Sequence, residues 1–290
     1  MKKRAVSVML TAAMVSAMLA GCGSKNAETQ SAADTTAESA VSGDETSADT
    51  QAADAETTDA SKTDGTFTVG FDQDFPPMGF VGDDGEFDLE MAAEVAKRLN
   101  LTIAYQPIAW DAKDMELDAG TIDCIWNGFT MNGREDDYEW SKPYMKNNQV
   151  FVVRGDSDIN SEADLAGKNV EVQTDSSAEA ALNDNSELTS TFGSLTPVAD
   201  YNTAFMDLES GAVDAIAMDD VVASYQITSR KADFKVLDDV IAAEEYGIGF
   251  KKGNTGLRDK VQATLEEMAA DGTAAKISEK WFGKDITTIQ

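Results

Sequence analysis

The stretch FTMNGREDDYEWSKPY, starting at Phe129, contains Arg134, one of only six arginines in a 290-residue chain with a formal charge of −30 and no histidine. A guanidinium presents two parallel donors and stays charged at all relevant pH, so Arg134 could grip a carboxylate or another small anion. It could equally pair with Glu135 or Asp136 at the surface, and the residues alone leave both readings open. Ser176 and Ser177 precede an Ala-rich run in QTDSSAEAAL and could cap a helix whose free N–H groups face an anion. Asp72 could accept a bond from an amide or a cationic side chain. Asp219, ending VDAIAMD, reads by itself as a turn or cap residue. Proton-transfer chemistry is thinly provided, since the chain lacks histidine, the usual side chain for it near neutral pH. Cys22 and Cys124 lie too far apart for metal or redox spacing, and Cys124 reads as a small buried apolar residue. No metal and no cofactor is expected. The acidic balance also excludes nucleic acid, which demands basic patches.

The elements that must position these residues start late in the chain. MKKR, an apolar run and LAGC are laid out as a secretory signal peptide over residues 1–22, and LAGC looks like a lipobox that would lipidate Cys22. Residues 23–64 are Ala, Ser and Thr with scattered acids and no aromatic. They cannot bury enough apolar surface to offset ordering, so they read as a disordered acidic tether spanning on the order of 35 Å.

From residue 65 strand-like and helix-like runs alternate. FTVGF is followed by DLEMAAEVAKRL, with Asp88 as the expected N-cap, and then by LTIAYQPI. Such alternation predicts crossover units on a mainly parallel sheet. One unit recurs: LDAGTIDCIW from Leu117 and LESGAVDAIA from Leu208 share helix, Gly, aliphatic, Asp and strand. Gly120 and Gly211 permit the left-handed turn that ends each helix. Two related lobes follow, with crossings at MKNNQVFVVR and near Tyr246 and a tail of two helices broken at DG. A cleft between hinged lobes is a natural ligand site.

GFDQDFPPMGF, DGEFDLEMAAEVAKRLN, AGTIDCIWNGFTMNGRE, SKPYM, DLAGKNVEVQTDSSAEAAL, SGAVDAIAMDDVVA, YGIGFKKGN and DGTAAKISEKWF together resemble the polar amino-acid-binding proteins of ABC importers, solute-binding protein family 3. The resemblance covers Phe67 to Gly283 in order. It implies an α/β, two-lobed fold of the type II periplasmic-binding-protein kind, each lobe a mixed, mainly parallel sheet with flanking helices. Lobe one would be 65–148 plus 246–290 and lobe two 149–245. It implies no enzyme but a monomer that captures a free amino acid outside the cytoplasm and hands it to an ABC transporter permease, held at the membrane by the lipid on Cys22.

Arg134 then matches the position that grips the α-carboxylate. Asn127, Gly128 and Thr130 adjoin it, and the N–H groups near Ser176 and Ser177 face the same group. Asp219 matches the acceptor of the α-ammonium. Phe75 and Trp110 match two walls that sandwich the ligand side chain, with Asp72, Gln173 and Thr174 along the edge. Two spellings depart from the family. DDGEFD is about three residues short at Gly85–Asp88, so Phe87 would take over a missing Phe. TMNGRE is one residue short, a gap that an Asn-Gly turn can bridge. Two alternatives keep the same fold: a periplasmic-type dehydratase acting on a prephenate-like substrate, and a sensory or adhesive surface protein.

Overall fold

The computed structural model describes residues 65–80 and 86–290. The expected signal peptide with Cys22, the expected tether and residues 81–85 lie outside the described residues. The first half runs β1 (Thr66–Phe71), the short hairpin β2 (Asp74–Phe75) and β3 (Gly79–Phe80), α1 (Phe87–Arg98), β4 (Thr102–Pro107), α2 (Lys113–Ala119), β5 (Cys124–Thr130) and β6 (Glu139–Trp140). β7 (Met145–Arg154) crosses into β8 (Asn169–Gln173), α3 (Ser177–Asp184), α4 (Ser186–Thr189), β9 (Ser194–Val198), α5 (Tyr201–Ser210), β10 (Ala215–Asp219) and α6 (Asp220–Arg230). β11 (Phe234–Phe250) returns, followed by α7 (Thr255–Ala270) and α8 (Thr273–Phe282).

One sheet has the order β4-β1-β5-β11-β7-β10-β8-β9, with β6 against β11. β4-β1-β5 is a parallel triple, and so is β10-β8-β9. Between them β11 and β7 pair antiparallel, and each also meets its neighbouring triple antiparallel. In both triples the strand that comes first in the chain lies in the middle. The recurring helix-Gly-strand unit is therefore the same local construction built twice.

The repeat also explains its shared Asp. Asp123 accepts from the Thr68 N–H at 2.6 Å and its own N–H donates to Thr68 O at 2.8 Å. Asp214 repeats this with Asn169, at 3.0 and 2.9 Å. Each Asp thus ties the start of the third strand to the start of the first. Gly120 and Gly211 end their helices at φ of 72° and 79°, the left-handed region where a Cβ is strained.

α1 buries Phe87, Leu89, Met91, Ala92, Val95 and Ala96, an apolar stripe at helical spacing. Phe87 meets Phe282 edge-on at 5.0 Å, so α8 packs back on α1. Truncating Phe87 to Ala would cost about 3–5 kcal/mol, the usual range for a buried ring. Asp88 does not cap α1. Glu86 holds the N-cap position, and Asp88 sits fully buried in the first turn. Its carboxylate accepts from Gly128 N at 2.6 Å and Tyr144 Oη at 2.8 Å, because the turn faces the end of β5. Burial pushes this carboxyl up to about 7.

Candidate ligand-binding site

β5 is buried along its whole length and ends at Thr130. The Asn132-Gly133 turn follows, with Gly133 at φ 78°, and Arg134 N donates to Met131 O at 3.0 Å. This tight turn returns the Arg134 side chain over the Phe129 ring, 5.3 Å from its centroid. The guanidinium donates to Thr130 O at 3.4 Å and to Asp175 O at 3.2 Å, both carbonyls. Among the described residues no carboxylate lies within ion-pair distance of it, so it does not pair with Glu135 or Asp136. A charge met only by two carbonyls keeps most of its capacity for an anion.

Arg134 shares one cavity with Phe75, Trp110, Asn127, Gly128, Thr130, Gln173, Ser176, Ser177 and Asp219. Ten of the twelve residues expected at a ligand site therefore converge, from elements of both halves. The side chains close tightly there and leave about 10 Å³, space for roughly one water. Two buried polar atoms on its wall, Trp110 Nε1 and Asn127 Oδ1, have no hydrogen-bond partner among the described residues. Each such orphan costs about 1–3 kcal/mol unless a partner arrives. At Gly128, φ is 59° and an added Cβ would come within 3.1 Å of Tyr246 and 3.2 Å of Met78 and Phe75. A side chain there would be strained and crowded, and Asp88 accepts from the Gly128 N–H. Asp88 was not recognisable as a support of this site, because its spacing suits a helix cap equally well.

The second half contributes a helix start and a carboxylate. Ser176 caps α3, its Oγ accepting from Glu179 N at 3.1 Å. Asp219 is buried at the end of β10. Its Oδ1 accepts from Tyr246 Oη at 2.6 Å, Asn147 Nδ2 at 2.7 Å and Gln149 Nε2 at 2.8 Å. The same two amides donate to Glu244 Oε2, at 3.2 and 2.9 Å, and Thr130 Oγ1 does so at 2.9 Å. Burial, and next the charge of Glu244, push Asp219 up to about 8. Glu244 was missed from the sequence, where EEYGIGF reads only as a strand flanked by Gly; no local signal marks it.

The halves also touch directly. Gln173 Nε2 donates to Asp72 Oδ2 at 2.6 Å, Asn202 Nδ2 to Asp74 Oδ1 at 2.7 Å, and Thr130 Oγ1 to Ser177 Oγ at 3.2 Å. Lys113, almost wholly buried, pairs with Asp175. Asp72 and Thr174 do not line the small cavity. They lie on a neighbouring one of about 440 Å³ that shares Trp110 and also carries Asp74, Asp111 and Asp200. Burial raises Asp72 to about 6, against the lowering effect of its bonds from Asp74 N and Gln173.

Residues 67–284 match the family described as bacterial extracellular solute-binding proteins, family 3. The chain belongs to that family. The L-cystine-binding protein TcyJ of Escherichia coli (strain K12) is 32% identical over 228 residues, 77% of this chain and 84% of that protein. Among solved structures, an ABC uptake transporter substrate-binding protein from Streptococcus pneumoniae with bound histidine is 34% identical, with a TM-score of 0.74. The match covers 77% of this chain and 95% of that one. An ancestral arginine-binding protein bound to arginine is 36% identical with a TM-score of 0.69, covering 76% and 99%. These likenesses bear out the two-lobed α/β solute-binding fold and the extracytoplasmic class. The named relatives are binding proteins rather than enzymes. Among the described residues of this family member, no helix is long and apolar enough to cross a membrane.

Proposed function

We propose that this solute-binding protein captures a free polar amino acid between two lobes, 65–148 plus 246–290 and 149–245, and presents it to the permease of an ABC importer. The observation that carries the reading is Arg134, a cation without a carboxylate partner, on one cavity wall with Asp219, a buried carboxylate. A zwitterion offers each of them what it lacks. Arg134 takes the α-carboxylate, aided by Thr130 and by N–H groups at Gly128 and at the start of α3 near Ser176 and Ser177. Asp219 takes the α-ammonium. Asn127 gives its free Oδ1 to a ligand donor, and Phe75 and Trp110 flank the side chain.

The closed cleft leaves too little room for an amino acid, so the lobes must part about β7 and β11 to admit one. The neighbouring cavity supports a choice of side chain. Asp72, Asp74, Asp111 and Asp200 line it, Gln173 and Thr174 stand at its edge, and no Lys or Arg does so among the described residues. A side chain with a cation at its far end suits these walls, as in arginine, or the far ammonium of cystine; a far carboxylate alone does not. Catalysis is not part of the reading, since Asp72 and Asp219 are both engaged as hydrogen-bond acceptors. A signal peptide over 1–22, a lipid on Cys22 and the acidic tether would hold a monomer at the outer face of the membrane.

Calorimetric titration of the full chain, stripped of ligand, with the common amino acids and L-cystine tests this. Micromolar or tighter binding to one or a few of them is expected. No binding to any would reject amino-acid capture.

A further inference from the structure

Glu244 lies outside the set of residues so far given a role toward the ligand, yet it is joined to that set on every side. Its Oε2 accepts from Thr130 Oγ1 at 2.9 Å, Gln149 Nε2 at 2.9 Å, Asn147 Nδ2 at 3.2 Å and Ser177 Oγ at 3.4 Å. Thr130 and Ser177 are cavity walls, and both amides also donate to Asp219. Two carboxylates, Glu244 and Asp219, 6% and 3% exposed, therefore share two neutral donors, Asn147 and Gln149 of β7.

Arg134 lines a cavity with each of them, but among the described residues no Lys or Arg is paired with either. From β7 come Asn147 and Gln149, both neutral. From β11 comes the Tyr246 hydroxyl, and from α5 the buried Tyr201, whose ionisation burial opposes further, as the Asp219 charge does. Asp220 starts α6 and is bonded to Asn148 at 3.0 Å. Asp219 stands at the N-terminus of that helix, whose dipole supplies only a partial positive charge. Arg134 turns to the carbonyls of Thr130 and Asp175, and Lys113 to Asp175. Among the described residues, neither Asp219 nor Glu244 has a Lys or Arg within ion-pair distance.

Neutral donors could hold the crossing strands together with a glutamine at 244 at far lower cost than with a second buried charge. A pair of close, buried carboxylates makes sense where a cation is to be received. Resting on the capture reading above, we propose that Glu244 is a positioning residue that forms, with Asp219, a two-carboxylate receptor for the ligand's α-ammonium, so that capture exchanges a proton for the ammonium. In the exchange the zwitterion enters with its own charges intact, one proton leaves the Asp219 carboxyl for solvent, and no other bond is made or broken. The raised Asp219 carboxyl, protonated near neutral pH, agrees with this order of events.

The test is calorimetric titration of the full chain with L-cystine, L-arginine and L-histidine, in two buffers of different ionisation enthalpy, from pH 6 to 8.5. For whichever of these binds, about one proton should be released per ligand at pH 7. The Kd should rise about tenfold for each pH unit below 8. In Glu244→Gln, proton release at pH 7 should fall and the pH-dependent range of the Kd should move to lower pH, while cooperative thermal unfolding is kept. Wild-type binding without proton release would overturn the proposal with no variant needed. A release and slope indifferent to Glu244→Gln would overturn it while leaving amino-acid capture standing. Failure of all three amino acids to bind would overturn the proposal, and failure across the wider panel would overturn capture too.

Discussion

β5 and β10 are the same strand built twice, and their ends part company. Both follow a left-handed glycine and an Asp that ties them to the first strand of their triple. Counting from that Asp, Gly128 and Asp219 are equivalent positions. At Gly128 the chain runs on through Thr130 and a tight turn to a cation, Arg134. At Asp219 the strand stops, a helix begins, and the anion is already in place. One architecture thus supplies both ends of a dipolar receptor, because each strand points its terminus at the same cleft and only the exit from the strand differs. The charged groups then have different neighbours. Arg134 rests on an aromatic face and two carbonyls, whereas Asp219 is sunk among amides, a phenol and a second carboxylate.

The largest effect should come from removing either end. Arg134→Ala is expected to weaken amino-acid binding by about 2–5 kcal/mol, roughly thirtyfold to several thousandfold, and Asp219→Asn should do likewise. Calorimetry on both variants shows whether the two strand ends are equal partners; unchanged binding by either would remove that end from the site.

Next comes pH. Asp219, Asp88 and Asp72 lie at about 8, 7 and 6 in the fold against 3.8 outside it, each raised chiefly by burial. A carboxyl held above its unfolded value favours the fold most below that value, and its contribution fades as pH climbs through the folded value. The ligand-free protein should therefore lose stability as pH rises from 4 to 8.5, measured by urea unfolding. Saturating ligand should offset the part due to Asp219 and leave that due to Asp88. A stability that rises steadily with pH across this window would show the burial of these groups to be misjudged.

Gly128→Ala separates the strand ends on stability. Its left-handed backbone and the contacts with Tyr246, Met78 and Phe75 should cost about 1–3 kcal/mol. Gly120→Ala, with nothing within 4 Å of the added carbon, should cost only about 1 kcal/mol. Equal losses would mean that the crowding at Gly128 relaxes. Smallest is the matched pair Asp123→Asn and Asp214→Asn. The part-buried 2.6 Å bond of Asp123 should be worth about 1–2 kcal/mol, and the exposed 3.0 Å bond of Asp214 under about 1. A reversed order would undo the equivalence drawn between the two ties.

Much of this was legible before any coordinates. The repeated helix-Gly-strand unit, the Ser176 cap, the Asn-Gly turn and the two tail helices are short-range features, and all appear where the residues place them. Resemblance supplied the roles that short-range patterns cannot, and ten of twelve residues so chosen line one cavity. Asp72, bonded to Gln173 across the cleft, and Thr174, bonded to Val198 O, line the neighbouring space instead.

Asp88 and Glu244 show where reading stops. A carboxylate in the first turn of a helix looks like a cap, and one in a polar stretch of strand looks solvated; nothing within ten residues of either says otherwise. What the sequence by itself determined is the order of elements, the internal repeat, the local turns and caps, and the scarcity of cations that makes Arg134 conspicuous. Only the tertiary structure decided that Arg134 and Asp219 line one cavity, that Asp88 supports Gly128 across 40 residues, and that Asp219 and Glu244 share the Asn147 and Gln149 amides. Helix and strand periodicity record which face is buried, but the partner of a buried charge comes from a distant strand, and no local pattern encodes that distance.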